Sequence, residues 1–249
     1  MIDLQNISKT YNKGKVNEVN AIVNLSLSIK PQDFVVVVGA NGSGKSTLLD
    51  LIAGSILADE GCIEMDGKNV SKWPDYKRSR FIARVFQNPF SGTSADLSIL
   101  DNFRLAALRT QNKALKIGID TQFKKRVSEQ IAQLGMGLEN KLLQPMGSLS
   151  GGQRQALTLL MAVMDDVKIL LLDEPTAALD PRSADVVLKI ANQLAQQYQL
   201  TTILITHNLK DAFQNGNRIL QMAEGKIIRD LNYSSKNKLT QNEIFSWFS

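Results

Sequence analysis

The sequence predicts an α/β fold: a mixed, mainly parallel sheet with helices, carrying an N-terminal antiparallel β-subdomain and an inserted α-helical subdomain. Three observations predict it. Asp33-Phe34-Val35-Val36-Val37-Val38 is a β-branched apolar run of the kind that forms a buried central strand. A glycine-rich turn follows at once, and then Leu48, Leu49, Leu51, Ile52 and Ala53 recur at a spacing that suits a helix packed on that strand. Two later apolar runs, residues 168–172 and 201–206, end in Asp173-Glu174 and in His207, and the carboxyl ends of strands are where an α/β sheet places ligand chemistry.

The turn is Gly39-Ala40-Asn41-Gly42-Ser43-Gly44-Lys45-Ser46-Thr47, which fits G-x-x-x-x-G-K-[ST] without a mismatch. A chance glycine turn between strand and helix is the bland alternative, but it does not require Lys and Ser in register. The glycines let backbone N–H groups converge on an anion, and the helix N-terminus adds positive partial charge. Lys45 is expected to reach the β- and γ-phosphates, and the Ser46 hydroxyl to ligate Mg²⁺. The fold class sharpens to a P-loop NTPase core.

Composition narrows the setting. With 249 residues, 43% hydrophobic, the chain can bury a sizeable core. Its one cysteine, Cys62, excludes an internal disulfide and fits a reducing compartment, and its one histidine, His207, leaves no His/Cys cluster for zinc. No stretch approaches the ~20 apolar residues that span a bilayer, and the N-terminus lacks the basic start and apolar run of a signal peptide. The net charge of +5 is mild. Lys77, Arg78, Arg80 and Arg84 cluster, as do Lys124, Lys125 and Arg126. Without a nucleic-acid motif these read as solvated helix faces, with attraction to anionic lipid as the lesser alternative and no nucleic-acid partner.

Along the chain, residues 2–7 and 22–29 alternate apolar and polar, as half-buried antiparallel strands do. Residues 9–14 between them read as a polar loop, whose Tyr11 either caps the hairpin or stacks on a nucleotide base. Residues 62–67 and 82–87 read as strands with a basic helical stretch between them. From residue 88 the pattern turns helical, over 101–109 and 122–134. Counting the helix over 153–164, the helical subdomain covers about residues 88–164, and the core about 1–87 and 165–249. Ser150-Gly151-Gly152 at that helix's start offers a second anion site. Asp173 can hold Mg²⁺ through water, and Glu174 can accept a proton from an attacking water, although Asp-Glu-Pro can also be a mere strand-ending turn. His207 is either structural or a γ-phosphate and nucleophile contact. Residues 218–222 and 226–230 form a hairpin, and Thr240-x-x-Glu243 opens a short helix with Phe245, Trp247 and Phe248.

The set Gly39 to Thr47, Gln87, Leu149-Ser150-Gly151-Gly152-Gln153, Asp173-Glu174, Ala178-Leu179-Asp180 and His207 resembles, in order, the ATP-binding cassette ATPases, across essentially the whole chain. The resemblance implies an ATP- and Mg²⁺-dependent ATPase domain working with an integral-membrane permease, peripheral on the cytoplasmic face of the inner membrane. It implies that Tyr11 stacks on adenine, that Gln87 reaches the Mg²⁺ and the lytic water, and that Glu174 is the general base with His207 on the γ-phosphate. Ser150, Gly151, Gly152 and Gln153 would contact the γ-phosphate in trans and Asp180 would cross the interface, in an ATP-dependent head-to-tail homodimer. Gln87-Asn88-Pro89-Phe90-Ser91-Gly92-Thr93 and Leu159-Leu160-Met161-Ala162 look like bacterial importer ATPases paired with a periplasmic or lipoprotein solute-binding protein, some linked to tryptophan or tyrosine uptake. Leu159-Leu160-Met161-Ala162 departs from the commoner Ala-Arg-Ala wording, and Ala177 stands where serine is common. Neither touches a phosphate-binding group.

Rival readings are a GTPase, a chromosome or repair ATPase, and a cassette serving efflux or lipoprotein release. No Asn-Lys in the chain has Asp two places on, as guanine selectivity needs, and no sustained heptad run supports a coiled coil. The efflux reading shares the same ATP chemistry and differs only in its membrane partner.

Overall fold

The computed structural model describes residues 2–108 and 118–236. The N-terminal strands β1 (Ile2–Tyr11) and β2 (Val19–Ile29) pair antiparallel. β1 runs through Lys9, Thr10 and Tyr11, where the sequence pattern predicts a loop. Thr10 and Tyr11 find ladder partners in Asn20 and Val19, and a β-bulge register shift lets a polar stretch continue the strand. Then follow β3 (Phe34–Val38), α1 (Lys45–Ala53), β4 (Glu60–Met65), β5 (Lys68–Asn69), α2 (Asp75–Arg78) and β6 (Ile82–Val85). The helices α3 (Ile99–Ala106), α4 (Thr121–Ala132) and α5 (Gly151–Ala162) lie between β6 and β7 (Ile169–Asp173). The chain continues through α6 (Pro181–Gln197), β8 (Thr201–Ile205), α7 (Leu209–Gln214), β9 (Arg218–Ala223), β10 (Lys226–Leu231) and α8 (Tyr233–Lys236). The helix expected over residues 240–248, and Arg109 at the end of the expected 101–109 helix, lie outside the described residues.

Two sheets result. One is antiparallel, in the order β2-β1-β4-β5, and the other has six strands in the order β10-β9-β3-β8-β7-β6. In the second, β9, β3, β8, β7 and β6 run parallel, and β10 closes the edge antiparallel to β9. The period-2 alternation of β3 divides its valines between two cores. Val35 and Val37 meet Leu48, Leu49, Leu51 and Ile52 of α1 and the apolar face of the antiparallel sheet. Val36 and Val38 meet the α3–α6 side, including Leu157, Leu160, Val187 and Ala191. All five β3 residues are buried, as a central parallel strand covered on both faces must be.

The parallel register sets the site. Val37 and Asp173 both lie level with Ile205, so β3, β8 and β7 end side by side. The segments leaving those ends carry the phosphate loop, His207 and Glu174. Among the described residues, no helix is long and apolar enough to cross a membrane.

Candidate ATP site

The phosphate loop is shaped by contacts its own sequence supplies. Gly39 has φ 155°, and a Cβ there would lie 2.3 Å from the Met222 carbonyl oxygen, so only glycine lets the loop turn beneath β9. Gly44 sits at the N-cap of α1 with φ 100° and offers no side-chain cap, which leaves the first-turn N–H groups free for an anion. The Lys45 ammonium folds back over the loop and donates to the carbonyls of Gly39 and Ala40 at 2.8 and 2.9 Å. Burial lowers its pKa, while the charges of Glu174 and Asp173 oppose that shift. Ala40, Asn41 and Gly42 form the exposed rim, and Thr47 is half-buried beyond Ser46 in α1. The Ser43 hydroxyl is buried without a hydrogen-bond partner.

The carboxylates stand opposite that loop. Asp173 closes β7, and its Oδ1 accepts from the Ser46 hydroxyl at 3.4 Å. This pair supplies the oxygen donors that a small hard divalent cation prefers alongside phosphate and water. Glu174 follows with φ 47°, a left-handed conformation uncommon outside glycine and asparagine. Its amide donates to Ile205 O at 3.1 Å, and its Oε2 lies 3.0 Å from His207 Nδ1. Thr206, just before His207, donates its amide to Val37 O at 3.3 Å, joining this corner to the strand that launches the phosphate loop. Lys45, Ser46, Asp173, Glu174 and His207 therefore converge at one end of the sheet.

Among the described residues, no hydrogen bond links the other expected residues to that cluster, although Val85 of β6 is level with Leu172 of β7. Gln87 lies exposed just past β6, which stops at Val85 and not at residue 87. Tyr11 is half-buried at the end of β1. Ser150 caps α5, accepting from Gln153 N while the Gln153 side chain accepts from Ser150 N, a complete capping box. α5 thus begins at Gly151, two residues earlier than apolar periodicity alone indicates, because the cap sets the start and glycine hides it. Gly151 faces Leu179, and a Cβ on Gly152 would lie 2.7 Å from Ser183. Among the described residues, no hydrogen bond joins residues 150–153 to the phosphate loop. Asp180 caps α6 by accepting from the amides of Arg182 and Ser183, both at 3.1 Å. Hydrogen bonds from Ser183 hold its carboxyl below the usual range.

Two of the basic residues read as a solvated face are corrected by the structure. Arg78 is fully buried and donates to the carbonyls of Leu51, Ile52, Ser71 and Trp73, closing the C-terminus of α1. Burial pulls its pKa down to about 10. Arg84 points inward from β6 to Asp50 and Asp173. The available signal is its place in Ile82-Ala83-Arg84-Val85, where period-2 alternation puts Arg84 on the face of Ile82. Nothing in the sequence singles out Gln155 either. Its Nε2 donates to Phe86 O at 2.9 Å and to Pro175 O at 3.0 Å, binding α5 both to the segment before Gln87 and to the turn after Glu174.

Comparison with known proteins agrees with this geometry. Residues 22–177 match the family model described as ABC transporter. The chain is 36% identical, over 250 residues covering 100% of it and 98% of the relative, to a tyrosine transport ATP-binding protein of Clostridioides difficile (strain R20291). It is 31% identical over 252 residues, covering 100% of it and 70% of the relative, to the methionine import ATP-binding protein MetN 2 of Enterococcus faecalis (strain ATCC 700802 / V583). Among solved structures it is similar to the dimeric ATP-binding cassette MJ0796 in a post-hydrolysis state bound to ADP and Pi, with a TM-score of 0.79 and 28% identity over 94% of this chain and 99% of that one. The chain belongs to the ABC transporter family, and it is an ATPase cassette of that family.

Proposed function

We propose that this chain is the ATP-hydrolysing subunit of an amino-acid importer, working on the cytoplasmic face of the membrane with a separate permease and a solute-binding protein. The observation that carries the chemistry is the meeting of Lys45, Ser46, Asp173, Glu174 and His207 at adjacent strand ends. Full-length similarity to a tyrosine transport protein, and similarity to a methionine import protein, support the amino-acid assignment.

In this reading the loop amides and Lys45 hold the β- and γ-phosphates, and Tyr11 stacks on adenine. Ser46 and Asp173 hold Mg²⁺, which supplies charge neutralisation on the phosphates. Gln87 helps to place the attacking water. Glu174 takes that water's proton, and His207 fixes the Glu174 carboxylate and contacts the γ-phosphate. Ser150, Gly151, Gly152 and Gln153 serve the ATP held by a second copy of the chain, and Asp180 lies at that interface. The isolated chain is therefore half of each of two sites. Residues 88–164 act as the helical subdomain, with the permease seated around Phe90.

Glu174→Gln tests the reading. It keeps shape and most hydrogen bonds but removes the basic oxygen, so hydrolysis should fall by ~10²–10⁴-fold, the usual contribution of general-base assistance. ATP affinity should barely change, because Lys45, Ser46 and the loop amides are intact. With turnover blocked, the variant should elute as a dimer with ATP and as a monomer without it, and adding Ser150→Arg should abolish the dimer. Near wild-type turnover would remove the general-base role, and slow turnover without dimers would remove the trans site.

A further inference from the structure

Arg84 makes contacts that no phosphate-binding role explains. From β6 its Nη1 reaches Asp50 Oδ1 at 2.5 Å and its Nη2 reaches Asp173 Oδ2 at 2.6 Å. The guanidinium carbon lies 4.9 Å from the centroid of the Phe86 ring, a cation–π contact. The Arg84 and Asp173 side chains are each 15% exposed and Asp50 is 28% exposed, so solvent screens the pairs only in part. Asp50 lies one helical turn beyond Ser46 on α1. Arg84 thus ties together the helix that carries Ser46 and the strand that carries Asp173.

The two oxygens of Asp173 have different partners. Oδ1 faces the Ser46 hydroxyl at 3.4 Å, while Oδ2 is held by Arg84. We propose that Arg84 is a positioning residue that presents Asp173 Oδ1 to the metal pole and makes divalent-cation capture depend on nucleotide. This rests on the reading of Ser46 and Asp173 as the Mg²⁺ pole.

The charge balance gives the reason. Asp50, Asp173 and Arg84 together carry one net negative charge. Without the guanidinium, the same volume holds two carboxylates beside a loop that must accept polyanionic phosphate. Such a pair attracts a bare divalent cation and repels metal-free ATP. With the guanidinium in place, the residual attraction for metal is weak until the phosphates add their own charge. A guanidinium keeps its charge at any working pH, so this contribution is constant.

The test is the ratio of nucleotide affinities with and without Mg²⁺. Binding of a non-hydrolysable ATP analogue to the full chain is measured by calorimetry in excess Mg²⁺ and again in EDTA. Removing one partly screened unit charge should shift that ratio by about tenfold. Arg84→Gln should enlarge the Mg²⁺ enhancement, chiefly by weakening metal-free binding, and Arg84→Lys should return it toward wild type. Asp50→Asn leaves the guanidinium to Asp173 alone, makes the cluster neutral and should shrink the enhancement. A merely structural role predicts parallel losses with and without metal, and the same direction for both variants. If Arg84→Gln does not fold, the sign of the Asp50→Asn shift decides alone. An unchanged ratio across these variants, with the wild-type Mg²⁺ effect present and lost in Ser46→Ala, overturns the role of Arg84. No Mg²⁺ effect in the wild type, matched by Ser46→Ala, overturns the metal reading and this inference with it.

Discussion

His207 Nδ1 lies 3.0 Å from Glu174 Oε2, so the chain's one histidine is placed on the carboxylate proposed as the general base. The backbone prepares this meeting. Glu174 adopts φ 47°, and its amide is fixed to Ile205 O, two residues before His207. A residue held in this region costs energy of order 1 kcal/mol or more and persists where surrounding contacts over-determine it. Here those contacts are the end of β8 and the imidazole.

His207→Ala should therefore act on chemistry more than on binding. The Glu174 carboxylate loses its orienting partner while Lys45, Ser46 and the loop amides stay in place. Turnover should fall by about 10²-fold, the lower end of general acid–base contributions, with nucleotide affinity within a few fold of wild type. Steady-state ATPase rates and a nucleotide titration on the same preparation check this. Equal losses in both would place His207 in binding instead.

Much of this site is legible in the sequence because its signals are local. Gly39, Gly44 and Lys45 are fixed by loop geometry, and Asp173 and Glu174 by the end of an apolar strand. The β3 valines announce a strand covered on both faces, and both faces are covered. What escapes are side chains whose partners lie far away in sequence. Arg84 meets Asp173 across 89 positions, and Gln155 meets Phe86 across 69. Arg84 leaves only the alternation of β6 as a signal, and Gln155, following Gln153 and Arg154, leaves none. The solvated-face reading of Arg78 fails because α2 is only four residues long, so helix-face reasoning has no second turn to work with. Tyr11 reads as part of a loop because its polar neighbours hide a strand that a bulge lets continue.

Phe90 offers a test of the membrane partner. It is 61% exposed, yet the Arg154 guanidinium lies 4.1 Å from its ring centroid, so the ring is held in place by a buried cation. A groove lined by Arg84, Gly92, Asn102, Leu105 and Met161 opens in the same region. With Cys62 first replaced by serine, Phe90→Cys should crosslink to cytoplasmic loops of the permease in the assembled complex. The same label at Tyr233, exposed on α8, should not. The reverse pattern would move the docking surface to α8.

Lys236 closes α8. Its ammonium is buried at the end of α8 and donates to the carbonyls of Asn215 and Gly216, just past α7. Burial lowers its pKa from 10.5 to about 8. The unfolded chain then holds a proton that the folded chain has released between those values, and stability rises with pH wherever the unfolded state binds more protons. From about pH 8 to 10.5 this residue should therefore add stability. The gain is a few kcal/mol at most, since each tenfold change in proton affinity is worth about 1.4 kcal/mol. Other groups titrate in the same range, Arg78 among them, whose pKa lies at about 10. The useful quantity is thus a difference. Urea unfolding of wild type and Lys236→Met across that range should show the gap moving in favour of wild type as pH rises. Below pH 8 both states of the wild type hold the proton, so the gap should be flat there. A gap that stays constant through pH 10, or moves in favour of methionine, would mean the buried ammonium is held by its two carbonyls firmly enough to keep its ordinary pKa.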